Sequence, residues 1–319
     1  MRSLIKRSRS DAALLTTSRY SSTVRYFRDH WRLYVLLLVP LAYVIVFKYV
    51  PMYGVQIAFK RFSPRKGIFG SSWVGFFYFK LFITSYQFRR VIINTITLSL
   101  YGLAAGFPFP IILALSLNEV RNRTFKKTVQ MISYLPHFIS TVVVVGILYQ
   151  FLSLYGVLNN VIDLLGGDRT SFLNNPNLFK SIYVWSGIWQ GVGYSSIIYL
   201  AALASVDTEL YDAGRIDGIN LLQKIRYIDI PAILPTIIIL FILNASRIMN
   251  VGFEKVFLMQ NPLNMSTSDV INTYVYRIGL QDANYSLGTA VGLFTAVINL
   301  IILVTLNRVS KMVSETSLW

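Results

Sequence analysis

Two groups of residues have side chains that could do chemistry in an otherwise apolar chain. Asn244, Arg247 and Glu254 recur with Val251 near one helical face, and Asn250 lies beside them. Upstream, Trp185 and Trp189 are four residues apart, as are Gln190 and Tyr194, while Gly187, Gly191 and Gly193 keep the backbone accessible. Residues three and four apart are neighbours on a helix. Ionisable groups at membrane depth are costly and face a cavity or a partner. At about 1.5 Å per residue from Pro235, Arg247 falls near a bilayer midplane. It is either a solute-pathway residue or half of a structural pair, with Glu254 or across a subunit interface. The aromatic faces and amides of the upstream set suit sugar rings, and interhelical packing with glycines at the contacts is the competing reading. His137 beside Pro136, and Asn299, read as packing or hydrogen-bonding residues.

Chemistry of other kinds finds no residues. There are no cysteines, which excludes disulfides and thiolate ligands or nucleophiles, and the 2 histidines make no His-rich metal site. No paired acids, metal-ligand spacing or nucleophile–base set stands out, so neither a catalytic residue nor a metal site is expected. The chain has no phosphate-cradling Gly-rich loop ending in Lys-Ser/Thr.

The elements that must hold these residues are membrane spans. Of 319 residues, 54% are hydrophobic and 14% charged, and the mean hydropathy is +0.54. Soluble domains carry about 25% charged residues. The net charge of +16 does not indicate nucleic acid, because the basic residues flank apolar runs instead of forming one patch. Residues 1–32 form a basic tail without the features of a signal peptide. Spans are expected at 33–53, 91–117, 129–154, 178–204, 232–259 and 286–306, within a domain 33–306, followed by a tail 307–319. Residues 54–88, rich in aromatics, read as an interfacial segment. Pro108 and Pro110 should kink the second span, and 155–177 and 260–285 read as polar loops.

Six spans put both termini on one side. The stretches 1–32, 118–128, 205–231 and 307–319 hold 8, 4, 3 and 2 Lys and Arg, against about 12 opposite, of which 8 lie in 48–90. The positive-inside rule then places both termini in the cytoplasm of a multi-pass cell (inner) membrane protein. The fold class is an all-α membrane protein of six transmembrane helices with a cytoplasmic loop at 205–235.

That loop is the one polar excursion in the second half. Asp207 or Thr208 can cap a helix with Glu209 and Asp212 in its first turns. Leu210, Ala213 and Ile216 share a face, and Gly218 suits the helix-ending position with positive φ. A second amphipathic stretch, Leu221–Ile228, precedes Pro231 and Pro235, which mark the bend back into the membrane. Residue pattern alone fits an ordinary solvated loop as well as a docking element.

Asp212-Ala213-Gly214-Arg215-Ile216-Asp217-Gly218-Ile219, followed by Ile228-Asp229-Ile230-Pro231 and Pro235, resembles the "EAA" loop of ABC importer permeases. That pattern runs Glu-Ala-Ala, two residues, Asp-Gly-Ala, then about a dozen residues to Leu-Pro. Asp212 replaces the usual Glu, Gly214 the second Ala and Ile219 a small residue, and Asp207 stands where Pro is frequent. Residues 33–62, NTITLS at 94–99 and MISYLPHFIS at 131–140 resemble the oligosaccharide and polysaccharide branch, so the likeness covers roughly 33–319.

The resemblance implies a permease of the type I importer fold whose loop is a coupling helix docking into an ATPase subunit through Glu209, Asp212, Ala213, Gly214, Arg215, Asp217, Gly218 and Pro231. It implies two cytoplasmic ATPase subunits that bind ATP and Mg, a second permease of similar fold, an external solute-binding protein and an oligo- or polysaccharide substrate moved by alternating access. The chain itself would carry no cofactor. The alternatives are a self-contained secondary transporter or channel for a polar solute, which would need more ionisable residues in its spans and broken-helix repeats, and an intramembrane enzyme.

Overall fold

Proline shapes the long helices without ending them. Pro51 and Pro231 have no N–H to donate, and a proline ring presses on the carbonyl four residues back, here those of Phe47 and Tyr227. In the computed structural model, which describes Tyr26 and residues 28–314, both carbonyls lie in widened π-helical turns, Ile45–Tyr49 and Ile225–Asp229. Such turns accommodate the ring while the helix continues. The rest of the basic tail and residues 315–319 lie outside the described residues.

The chain divides into two units, Met1–Gln56 and Ile57–Trp319. The first contains α1, Trp31–Val44, which runs on through its π turn to Met52. It has Pro40 inside it and no buried residue, and a helix apolar all round suits lipid. The second unit opens with an antiparallel hairpin, β1 Lys60–Arg61 against β2 Ser72–Trp73, where the expected interfacial segment lies. Phe59 stacks on Trp73 at 5.4 Å. Helices follow at Phe77–Ile83 (α2), Tyr86–Gly106 (α3), Pro108–Glu119 (α4), Arg123–Tyr134 (α5), Thr141–Phe151 (α6), Val157–Leu164 (α7), Pro176–Ala204 (α8), Thr208–Ile216 (α9), Leu221–Ala245 (α10), Phe253–Met259 (α11), Ile271–Tyr276 (α12) and Tyr285–Ser314 (α13).

Among the described residues, Trp31–Phe59, Tyr86–Glu119, Leu221–Ala245 and Tyr285–Met312 are long and apolar enough to cross a membrane. The fourth expected span is α8, a 29-residue helix whose apolarity is diluted by Lys180 and Gln190. Two expectations are corrected. The third span, 129–154, is not straight: Arg123–Phe138 and Thr141–Phe151 meet at 98°. Pro136 sits in a 3-10 turn, Leu135–Phe138, Ile139 is extended, and Ser140 starts a new helix by accepting the Val143 N–H at 3.4 Å.

The fifth span does not occupy 232–259. It runs from Leu221 to Ala245, so the second amphipathic stretch of the polar loop is the foot of the span. Asn220 starts it with a reciprocal capping box, accepting from Gln223 N at 2.9 Å while its own N–H donates to Gln223 Oε1 at 2.8 Å. Residues 246–252 then leave the helix. Asn299 Oδ1 accepts the Met249 N–H at 3.2 Å, and Asn272 Nδ2 donates to Asn250 Oδ1 at 2.7 Å and to the Val251 carbonyl at 2.6 Å.

Among the described residues the core is three clusters of apolar residues. Phe82, Val91, Tyr274 and Val291 join α2, α3, α12 and α13; Leu98, Val145, Phe179 and Val256 join α3, α6, α8 and α11; Ala114, Tyr199, Leu203 and Ile233 join α4, α8 and α10. Through the first runs a charge. Asp269 has 0% exposure, and its carboxylate accepts from Arg90 Nη2 at 2.9 Å and from Arg277 Nη2 at 2.9 and 3.1 Å. One turn after Arg90, Asn94 donates to the carbonyls of Ser266 and Asp269, and Thr95 Oγ1 accepts the Ile271 N–H at 2.9 Å. The 260–285 region is therefore an ordered cap instead of a polar loop. Buried Asn264 bonds the carbonyls of Leu173 and Met259 and the hydroxyl of Ser268.

Two of the close approaches that glycine permits bear on the packing of α8 and of the polar loop. A Cβ on Gly193 of α8 would lie 2.1 Å from the Ser133 carbonyl oxygen of α5. The second is inside the polar loop. Helix α9 begins at Asp207, which accepts the Glu209 N–H at 3.0 Å. It ends in a Schellman motif, with Ile219 N bonded to Gly214 O, Gly218 N to Arg215 O, and Gly218 at φ +68°. A Cβ on Gly214 would meet Ile219 Cδ1 at 2.5 Å and Ile228 Cδ1 at 3.1 Å. The end of the Ile219 side chain thus occupies the space an alanine Cβ at 214 would need, so two departures from the EAA pattern meet in one packing contact.

Two outcomes follow for purified protein in detergent. Gly214→Ala lowers the melting temperature in the native background, and the loss shrinks in Ile219→Ala, where the contact with Ile219 is gone and the tight one with Ile228 Cδ1 remains to offset the helix-propensity gain of about 1 kcal/mol. Asp269→Asn, which strands two guanidiniums, costs about 3–5 kcal/mol, and the triple variant with Arg90→Gln and Arg277→Gln recovers part of that loss.

Candidate functional site

Helix α9 presents one face to solvent and the other to its own chain. Glu209, Asp212, Ala213, Arg215, Asp217 and Gly218 are all exposed, as is Pro231 in α10, while Gly214 is buried under Ile219. Of the eight residues expected at a docking surface, Gly214 alone faces inward. Ile216, 87% exposed, and Leu222, 77% exposed, form an apolar patch beside them. Arg215 pairs with Asp212 at 2.9 Å, but both are well exposed, and such a pair contributes little to stability.

The inward face carries groups that sequence reasoning missed. Tyr211 donates its hydroxyl to Asp229 Oδ1 at 2.7 Å, and Asp229 has 0% exposure. Asp229 Oδ2 is buried without a hydrogen-bond partner among the described residues. Burial first, and then the Asp229 carboxylate, push the Tyr211 phenol well above its usual range. Lys224 pairs with Glu119 at the end of α4 and lies 4.8 Å from the Tyr211 ring centroid. Helix α9 is thus tied to the foot of α10, and through Lys224 to α4. The signal available in the sequence was Asp229 itself, a carboxylate within an apolar run.

The second site is a cavity of about 630 Å³ between α3, α8, α10 and the break after α10. Tyr194, Asn244, Arg247 and Asn250 line it, beside Gly102 and Gly106. Its walls at Gly102, Gly106, Tyr183 and Ser195 are shared with an adjoining cavity of about 290 Å³, which Gln190 and Lys255 line. The expected single helical face through Asn244, Arg247 and Glu254 does not exist, because the helix stops at Ala245. Glu254 is exposed, lines neither cavity and makes no salt bridge with Arg247. Polar residues still converge there, since the segment after the break lines the same cavity as α8.

The aromatic set is divided. Trp185 donates Nε1–H to Tyr101 Oη at 2.9 Å and meets Phe109 edge to face. Trp189 faces Val129, Ile132 and Pro136 across a small apolar gap. Gln190 donates to the Ile139 carbonyl at 3.1 Å, in the bend between α5 and α6, and Tyr194 stacks on His137 at 3.9 Å. Trp185 and Trp189 line neither polar cavity. Lys255 and Tyr183 were missed: Lys255 falls near the end of the expected span 232–259, and a lone tyrosine in an apolar run carries no local signal.

Residues 106–314 match the model of the family described as binding-protein-dependent transport system inner membrane component. The chain is 43% identical over 311 residues to Protein LplB of Bacillus subtilis (strain 168), covering 97% of this chain and 98% of the relative. It is 41% identical over 288 residues to the polygalacturonan/rhamnogalacturonan transport system permease protein YteP of the same organism, covering 90% of each. Its fold superposes with a TM-score of 0.85 on a chain in the crystal structure of a bacterial alginate ABC transporter in complex with alginate pentasaccharide-bound periplasmic protein, at 42% identity, covering 92% of this chain and 99% of that one. These likenesses run through α9, the cavity and most of the remaining chain. A multi-pass membrane protein whose matched region contains both sites, the chain belongs to the family of binding-protein-dependent transport system inner membrane components and is the permease of such an importer, not itself an ATPase.

Proposed function

We propose that this permease passes an oligo- or polysaccharide across the membrane by alternating access, driven by partner ATPase subunits. The observation that carries the proposal is α9. It is a short capped helix between two long helices, exposed along one edge and bonded along the other to the foot of α10. Saccharide transport is supported by the relatives, since YteP is a polygalacturonan/rhamnogalacturonan permease and the superposed chain belongs to an alginate transporter. The cavity, about 630 Å³, falls within the roughly 300–1,000 Å³ of ligand sites.

In this reading α9 docks into a groove of one of two cytoplasmic ATPase subunits, where ATP and Mg bind, through Asp212, Asp217, Ile216 and their neighbours. A second permease of like fold completes the pathway, and an external solute-binding protein delivers the saccharide. Both termini lie in the cytoplasm, on the side of α9. The alginate transporter structure, solved with a loaded periplasmic protein, supports the delivery step. Closure of the ATPases displaces α9, and the ties from Tyr211 and Lys224 carry that displacement to α10 and α4.

Reconstitution of the complex in liposomes tests this. Asp212→Lys, which reverses a charge on the docking edge, and Gly218→Asp, which forces a side chain into positive φ, each reduce ATP-coupled uptake by at least about tenfold, equivalent to ~1.4 kcal/mol. Wild-type uptake by both variants, in complexes that assemble normally, would show that α9 does not dock. Tyr211→Phe leaves Asp229 buried without its donor, a cost of about 1–3 kcal/mol. It lowers the number of saccharides carried per ATP hydrolysed, measured as paired uptake and phosphate release, while docking persists.

A further inference from the structure

The two connected cavities contain cations without counter-ions. Lys255 is 8% exposed and donates to the Tyr183 carbonyl at 3.3 Å, with Nζ 5.2 Å from the Tyr183 ring centroid. An ammonium has three donors, and no carboxylate pairs with this one among the described residues. Arg247 opens onto the larger cavity and likewise has no acidic partner among them. The neighbouring carboxylate, Glu254, is exposed and outside both cavities. A charge removed from water costs several kcal/mol unless it is compensated; that cost falls on Lys255, whereas Arg247 is exposed along the cavity wall, and buried Asp269 shows a charge of this fold that is compensated within the chain.

We infer that Lys255 and Arg247 form a site for the carboxylates of an anionic saccharide, which supplies the missing counter-charge as it passes. Two features favour a ligand. Both cations line the cavity walls. The Tyr183 ring and carbonyl hold the ammonium, and the Tyr183 hydroxyl reaches the Gly252 backbone, which fixes the support itself. A neutral sugar would need only the aromatic faces and amides already present in Tyr194, Asn244, Asn250 and Gln190, so two cations are surplus to it.

The inference rests on the importer reading, and its test separates the two. The assembled importer in proteoliposomes, with its binding protein and ATP, is given a hexuronate tetrasaccharide and the same tetrasaccharide with its carboxyls reduced to alcohols. Lys255→Gln and Arg247→Gln each lower hexuronate uptake by about tenfold, the effect of losing one charged hydrogen bond. Lys255→Arg retains most of it, and uptake of the reduced probe does not fall. Hexuronate uptake at the wild-type rate in both glutamine variants, or an equal fall for both probes, overturns the anion site and leaves the importer standing. Failure of the wild-type complex to take up either probe, with no stimulation of its ATP hydrolysis by the binding protein mixed with either saccharide, overturns the saccharide-import reading and the site with it.

Discussion

Asp269 carries a charge with no exposure to water, and its two arginines come from opposite directions, Arg90 from α3 and Arg277 from the end of α12. Coulomb attraction strengthens as the local dielectric falls, and so does the penalty for any missing partner. The carboxylate therefore holds the 260–285 region at one register on α3, and the bonds from Asn94 and Thr95 extend that register along the next turn. Once α12 is placed, Asn272 reaches back to Asn250 and Val251 and keeps the segment after α10 out of helix. That break puts Arg247 beside the cavity wall. The position of Arg247 thus depends on a charge cluster elsewhere in the chain.

The sequence discloses the elements whose determinants are local. The apolar run of α8 is expected at 178–204 and observed at 176–204, and α9 starts at Asp207 and turns at Gly218 as their capping chemistry dictates. Caps and glycines act within one turn, so four or five residues suffice to recognise them. The break at 246–252 has no such mark. Ile248, Met249 and Val251 continue the apolar character of Ile237–Leu243, and the partners that interrupt the helix, Asn272 and Asn299, are 22 and 50 residues away from those they bond. The 98° bend was half legible: Pro136 was visible, but whether a proline kinks a span or divides it depends on the neighbour that satisfies the freed carbonyls. Here Gln190 satisfies Ile139.

The two departures of the loop from its family pattern show the same limit from another side. Read singly, Gly214 is a helix-weakening substitution and Ile219 an oversized one. Together they fill one space, with the Ile219 side chain where an alanine Cβ at 214 would project. A linear motif compares positions independently and so counts two mismatches where packing counts one exchange.

The geometry of α10 explains how a small loop could act on a distant cavity. Its 25 residues span about 37 Å, and its two ends are differently bound. The foot is held to α9 by Tyr211 on Asp229 and to α4 by Lys224 on Glu119. The head ends at Ala245 with Asn244 in the cavity wall and no helix beyond it. In the proposed coupling, displacement of α9 would tilt α10 about its foot, and the non-helical residues 246–252, held by side-chain bonds from Asn272 and Asn299, would take up the change in angle. The π turn at Ile225–Asp229 lies at the foot, where a widened turn is easier to tilt than a regular one. In the proposed coupling a load on α9 arrives at the segment that carries Arg247, a part of the cavity wall outside any regular helix.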